Sequence, residues 1–339
     1  MTIEAWLDET PGETRGIVAR DGRYERLIIH RDSDAPGRRL GARSVGRVSA
    51  LEPGLGGAFV ELDGLPTDGF LPLKGGARVA EGQAVEVEVI AESRAGKGPT
   101  LKLIGPSEGA PRLLTTGPSV RDWLARWAPG VRPVEGAEAI QAGLEAEEEA
   151  LGSGAGLPEL GLDLSVERTR ALIAVDVDHE GGGARVKAEA NRRALFEAAR
   201  LIRLKAWGGL VVVDLVGSGH DGAKLAEAAR LAFRDGADPA LGPISRFGLL
   251  QLSIPWSRTP VEEILREPGG RETLETRALA IVRALGRALL VDTAVPRWTV
   301  FAHLEEAEAA RGWVASLGPR AHLVADPAAR PGRFRLEDA

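Results

Sequence analysis

The sequence predicts a multidomain α/β protein, and two stretches carry that prediction. ALIAVDVD (Ala171–Asp178) and GGLVVVDLV (Gly208–Val216) are short apolar runs rich in β-branched residues, each reaching an aspartate, Asp176 in the first and Asp214 in the second. Runs of this kind read as strands buried on both faces. Between them, from about Arg185 to Lys205, the residues Leu195, Ala198 and Ile202 recur at helical spacing and share one face. Strand, helix, strand makes a crossover with parallel strands, whose carboxyl ends meet at one sheet edge. Open α/β sheets place their ligands there. The second stretch, Gly41–Leu103, is a succession of short strand-like runs with turn punctuation and little helix.

An aspartate at a strand end also serves as a cap or turn residue. Two matched ones in consecutive parallel strands point further, because their charges repel unless a cation sits between them. Oxygen-only ligation suits magnesium, with manganese the alternative.

The totals bound what else is possible. A chain of 339 residues has room for two or three domains, and an apolar fraction of 44% allows sizeable cores. No apolar run approaches a membrane span, and the opening MTIEAWLDET resembles neither signal peptide nor anchor. Cysteine is absent and only five histidines occur, which disfavours disulfides and any zinc site of thiolates or imidazoles. A cytoplasmic protein is expected. The net charge of −6 argues weakly against nucleic-acid binding. It hides segregation, with acid in Glu138–Glu149 and base in Arg38–Arg47, Lys74–Arg78, Arg94–Lys102 and Arg192–Lys205. An acidic protein can still present a basic channel.

In chain order, residues 1–40 read as a small β unit, with Tyr24–His30 a strand, Asp21–Gly22 a turn and Gly16–Arg20 its partner. It is too short for its own core and should dock on later elements. Residues 41–104 hold the runs SVGRVSALEP, GAFVELDG, DGFLPLK, QAVEVEVIAE and PTLKLIG; five strands in about sixty residues suit an OB-fold barrel. Residues 105–167 are irregular and proline-punctuated, with helices expected over Val120–Trp127 and Ala137–Leu151. The second should bury Ile140 and Leu144 and turn its glutamates to solvent. Residues 168–265 hold the crossover and a further helix, Ala223–Phe233. Residues 266–339 read as helix, strand, helix (Ala307–Leu317), a last strand at His322–Ala325 and a Pro/Gly-rich tail.

GAFVELDG followed by DGFLPLK resembles the RNA-binding OB-fold module of the ribonuclease E/G family. The crossover is similar to that family too, with Asp176, Asp214, Asn191 on the intervening helix, the paired Gly208–Gly209 and ISRFGLLQLS at Ile244–Ser253 in the family's order. The resemblance implies an RNase H-like domain split by an inserted OB-fold, then a DNase I-like α/β catalytic domain and a small C-terminal α/β domain. It implies endonucleolytic hydrolysis of single-stranded RNA to 5′-phosphate and 3′-hydroxyl ends. Asp176 and Asp214 would hold magnesium, Asn191 would orient phosphate or water, and Phe59, Phe70, Lys74, Lys97 and Arg246 would bind RNA. Phe59 and Phe70 could equally pack in a core.

Two departures stand out. Asp178 replaces the family's usual asparagine, points to the same side as Asp176 and could join the metal site. Where the family shares zinc through paired cysteines, Glu262–Glu275 has no thiol, so a monomer or a dimer not linked by zinc is expected. Nor does the chain carry a counterpart of the family's arginine–threonine sensor of 5′-monophosphates. The residues leave two rivals open: an RNA-binding relative with weak or no cleavage, and a metal-dependent phosphodiesterase for small molecules or DNA.

Overall fold

In the computed structural model, residues 2–181 and 183–338 are described. The chain is a mixed α/β protein that divides into two compact units, Met1–Glu147 with Arg258–Ala339, and Glu148–Ser257. Among the described residues no helix is long and apolar enough to cross a membrane.

The first unit opens with an antiparallel meander, β1 (Ile3–Thr10), β2 (Glu13–Arg20) and β3 (Arg23–Arg31). Asp21 and Gly22 both have positive φ, which matches the right-handed twist of a two-residue hairpin. Strand β1 is additional to the two strands that the sequence pattern marks in this segment. Glu13, at the start of β2, is buried among Arg15, Arg31 and Arg283. Burial alone would raise its carboxyl. The pull of Arg15, Arg283 and Arg31 wins and lowers it to about 2.

The chain then leaves this sheet to build a barrel from β4 (Arg43–Glu52), β5 (Gly57–Glu61), β6 (Gly69–Pro72), β7 (Ala84–Ala91) and β8 (Thr100–Pro106). The pairing β4–β5–β6–β8–β7–β4 closes on itself, the OB-type order, and β9 (Arg112–Thr115) pairs with β4. Val48, Val60, Leu71, Val87 and Leu101 fill the interior. Each such side chain contributes about 1.5–3 kcal/mol by leaving water.

The chain then returns to the meander. Val120 and Leu124 of α1 (Val120–Trp127) pack on Leu7, Val18 and Ile28. That is where the short opening segment finds its core. The return is close: a Cβ on Gly117 would lie 2.4 Å from the carbonyl oxygen of Leu40. Helix α2 (Ala137–Leu151) follows. It buries Ile140, but Leu144 is 38% exposed. Its buried face is made mainly of Ala139, Ala142, Ala146 and Ala150, which let the helix approach closely. Its glutamates are not all solvated, since Glu147 pairs with Arg15 at 2.6 Å and Glu149 with Arg200 at 2.6 Å.

The second unit is one mixed sheet, ordered β10–β11–β12–β13–β15–β14, with helices on one face. Its elements are β10 (Gly154–Leu157), β11 (Leu162–Arg168), β12 (Ile173–His179), α3 (Ala184–Leu204), β13 (Gly209–Asp214), α4 (Gly222–Phe233), β14 (Ala240–Leu241) and β15 (Leu249–Ile254). Strands β12 and β13 run parallel, joined by α3, as the crossover pattern predicts. The other pairings are antiparallel. The expectation that both strand faces are buried does not hold. Ile173, Val175 and Val177 pack against Leu195, Ala198 and Ile202, while Ala174, Asp176 and Asp178 are exposed and Leu210 is 44% exposed.

The remainder of the first unit holds α5 (Val261–Leu265), α6 (Leu274–Val291), β16 (Trp298–Ala302), α7 (Leu304–Ser316), β17 (Ala321–Ala325) and β18 (Arg335–Asp338). Strands β16 and β17 are parallel, and β18, within the expected tail, pairs antiparallel with β16.

Candidate active site

The open face of the second sheet gathers the acidic residues. Asp176 of β12 stands in direct register with Asp214 of β13. Residues in register on neighbouring strands point to the same face, and the strands lie about 4.7–4.9 Å apart. Both aspartates are exposed. Across the other edge of β12, Ser165 registers with Asp176 and Asp163 with Asp178. Asp163 and Ser165 are additions the sequence reading missed. The signal was the alternation L-D-L-S-V-E at Leu162–Glu167, which marks a half-buried strand.

A glycine pair sets where β13 begins. A Cβ on Gly208 would come within 2.8 Å of the Pro255 carbonyl and 2.9 Å of Trp256 Cα, and Gly209 has φ +102°. Only glycine fits that approach and that conformation.

Asn191 of α3 is 1% exposed, and its amide works on backbone. Nδ2 donates to the Val216 carbonyl at 3.0 Å, and the Val216 N–H donates to Oδ1 at 2.9 Å. Val216 lies two residues beyond Asp214, so the amide clamps the exit of the strand that presents the carboxylate.

Among the described residues no three carboxylate or imidazole side chains converge closely enough to hold a metal ion. Asp178 therefore does not complete a three-acid cluster with Asp176 and Asp214. What remains is a facing pair of carboxylates. A pair fits magnesium, which commonly takes one or two protein carboxylates and keeps several waters.

Arg246 and Phe247 sit at the tip of the β14–β15 turn, with the guanidinium 4.8 Å from the ring centroid. Ser245 Oγ accepts from the N–H groups of Phe247 and Leu249 and holds the turn. Leu249 registers with Asp214, so this tip lies at the carboxylate edge. Phe247 is 72% exposed.

On the barrel, Phe59 and Phe70 are cross-strand partners, half-buried, with centroids 5.6 Å apart and planes at 62°. Neither belongs to the barrel core. Gly57 makes room for the Phe70 ring, which a Cβ there would meet at 2.5 Å. Lys97 sits in the Arg94–Lys97 turn just before Thr100, the partner of Phe70 in β8. Lys74 follows β6 closely, and both lysines are exposed.

The sequence profile of the Ribonuclease E/G family matches residues 134–255, which include every element of the carboxylate edge. The chain is 30% identical over 146 residues to "Ribonuclease E/G-like protein, chloroplastic" of Arabidopsis thaliana, covering 38% of this chain and 15% of that protein. It is 34% identical over 101 residues to "Ribonuclease E" of Buchnera aphidicola subsp. Acyrthosiphon pisum (strain APS), covering 27% of this chain and 11% of that protein. The chain thus spans only a small part of the length of these relatives.

Proposed function

We propose that this chain, whose residues 134–255 match the ribonuclease E/G profile, is a nuclease of that family and hydrolyses single-stranded RNA internally, leaving 5′-phosphate and 3′-hydroxyl ends. The observation that carries this reading is the register of Asp176 with Asp214 on an open sheet face. We read the Glu148–Ser257 unit as the DNase I-like catalytic domain. The meander with α1 and α2 would be the two parts of an RNase H-like domain, and the barrel its RNA-binding insertion.

Asp176 and Asp214 would hold magnesium, or manganese, through one carboxylate each. Bound there, the ion supplies Lewis-acid stabilisation of the charge that develops on the phosphoryl oxygens, a contribution of several kcal/mol. The chain's own residues do the rest. Asn191 is a positioning residue, since its amide fixes Val216 and through it the strand end at Asp214. Arg246 offers a cation at the same edge. Phe59 and Phe70 offer a stacking surface for successive bases, and Lys74 and Lys97 offer charge to the backbone. Recognition of this kind is tolerant of sequence, which suits a nuclease that acts on many RNAs.

The test is cleavage of an end-labelled single-stranded RNA in magnesium by the parent and by Asp214→Asn. Losing several kcal/mol of transition-state stabilisation predicts a fall of about a hundredfold or more. Products should carry a ligatable 5′-phosphate. Equal cleavage by the variant would remove the carboxylate pair from the reaction. Tight RNA binding with no cleavage by the parent would leave only a binding protein.

A further inference from the structure

On the helix side of the same sheet edge, a cleft of about 790 Å³ lies between the first turns of α3 and α4 and the loop after β13. Its walls carry four cations, Arg185, Lys187, Arg192 and Lys224, against two carboxylates, Glu189 and Asp221. Both acids are engaged. Glu189 holds Arg192 at 2.7 Å and Arg193 at 3.0 Å. Asp221 caps α4 through the Lys224 N–H and pairs with Lys224 Nζ at 3.2 Å.

Arg185 and the half-buried Lys187 have no acidic partner among the described residues. The Lys187 stem packs over Gly217, where a Cβ would lie 3.1 Å from its Cδ. Helix α3, 21 residues long, has no side-chain cap on its first turn. His220 also lines the cleft, and its Nε2 is shut off from solvent with no hydrogen-bond partner among the described residues. Unpaired cations and uncapped amides ask for an anion.

We propose that this cleft is a phosphate subsite, which takes a backbone phosphate of the same RNA strand beside the one at Asp176 and Asp214. The inference rests on the nuclease reading for its ligand. Val216 lines the cleft just past the end of β13 and is two residues from Asp214, a span of chain no longer than about 7 Å, so a polynucleotide crossing the edge meets both places. The subsite reads charge, not bases, and so holds the strand without choosing its sequence.

The test is Lys187→Met, which keeps the packed stem and removes only the charge. Affinity for a fluorescent single-stranded RNA is measured by anisotropy without divalent metal, over a range of salt. Removing one phosphate contact should shrink the slope of log K against log salt by about 0.7. Affinity should fall alike for RNAs of different sequence, and in magnesium KM should rise with kcat little changed. Arg185→Ala/Lys187→Met should enlarge each effect. An unchanged slope in a variant that melts like the parent overturns the subsite. If the parent binds RNA but does not cleave it, while the slope falls, the subsite stands and the nuclease reading fails. If the parent cleaves and the slope is unchanged, the subsite alone fails.

Discussion

Asn191 offers the sharpest test of how the fold serves the site. Replacing it with alanine strands the N–H and the carbonyl of Val216, which it now satisfies at 2.9 and 3.0 Å. An unpaired buried group costs about 1–3 kcal/mol. Val216 is half-buried and water can reach part of it, so the lower end applies to each group and the sum is about 2 kcal/mol. The kinetic effect should exceed what that loss of stability alone would cause. A misplacement near 1 Å at a reacting group costs about a hundredfold, and release of Val216 frees the chain two residues from Asp214. Urea melts should thus show a loss of about 2 kcal/mol, while steady-state cleavage should show kcat down by about ten- to a hundredfold with KM nearly unchanged. Asn191→Asp keeps the acceptor for the Val216 N–H and loses the donor, so it should fall between. If stability drops but kcat does not, the clamp does not position the carboxylate. If kcat drops with stability intact, the amide works on substrate, and the positioning argument is wrong.

Other expectations follow from the same structure. Glu13→Gln removes the anion from among three buried guanidiniums and should cost about 3–5 kcal/mol in a urea melt. Because Glu13 is lowered from 4.5 to about 2, its share of stability is present above pH 4.5 and lost as pH falls through 2; the variant's melts should lack that acid-dependent share. Phe59→Ala or Phe70→Ala should weaken RNA binding by about 1–3 kcal/mol by anisotropy, alike for different sequences. Asp178→Asn should shift the magnesium for half-maximal activity by about twofold to threefold, as expected for a nearby charge; a shift beyond tenfold would make it a ligand. RNAs with 5′-monophosphate and 5′-triphosphate ends should be cleaved at comparable rates in matched assays.

The crossover was legible because both of its signals are local: β-branched runs in the strands and apolar spacing along α3. The barrel was legible from turn chemistry. The open face was not. Its outward positions hold Ala174, Leu210 and Val212 between the aspartates, and these apolar residues mask the alternation that marks a one-sided sheet. The burial of Glu13 was illegible for a different reason. Glu13 is buried because Arg283 comes to it from far along the chain, and no local pattern announces such a partner. Leu144 faced the wrong way because alanines, not large side chains, form the contact surface of α2. Asn191 was found by its place in a resemblance, but its work on Val216 depends on distance and only coordinates give that. The cleft cations, drawn from two separate segments, were legible only as a loose basic tendency.

The barrel's two connections to the meander lie side by side, with Gly117 against the Leu40 carbonyl and Gly41 against Pro118. The barrel is also seamed to the later chain, since the Thr259 N–H donates to Glu92 at 2.9 Å and its hydroxyl to the Ser93 carbonyl at 2.9 Å, so a guest exchanged at this junction must restore that second seam. Under the proposed nuclease reading, a different strand-binding module grafted there should change which RNAs are cut while the carboxylate pair stays in place.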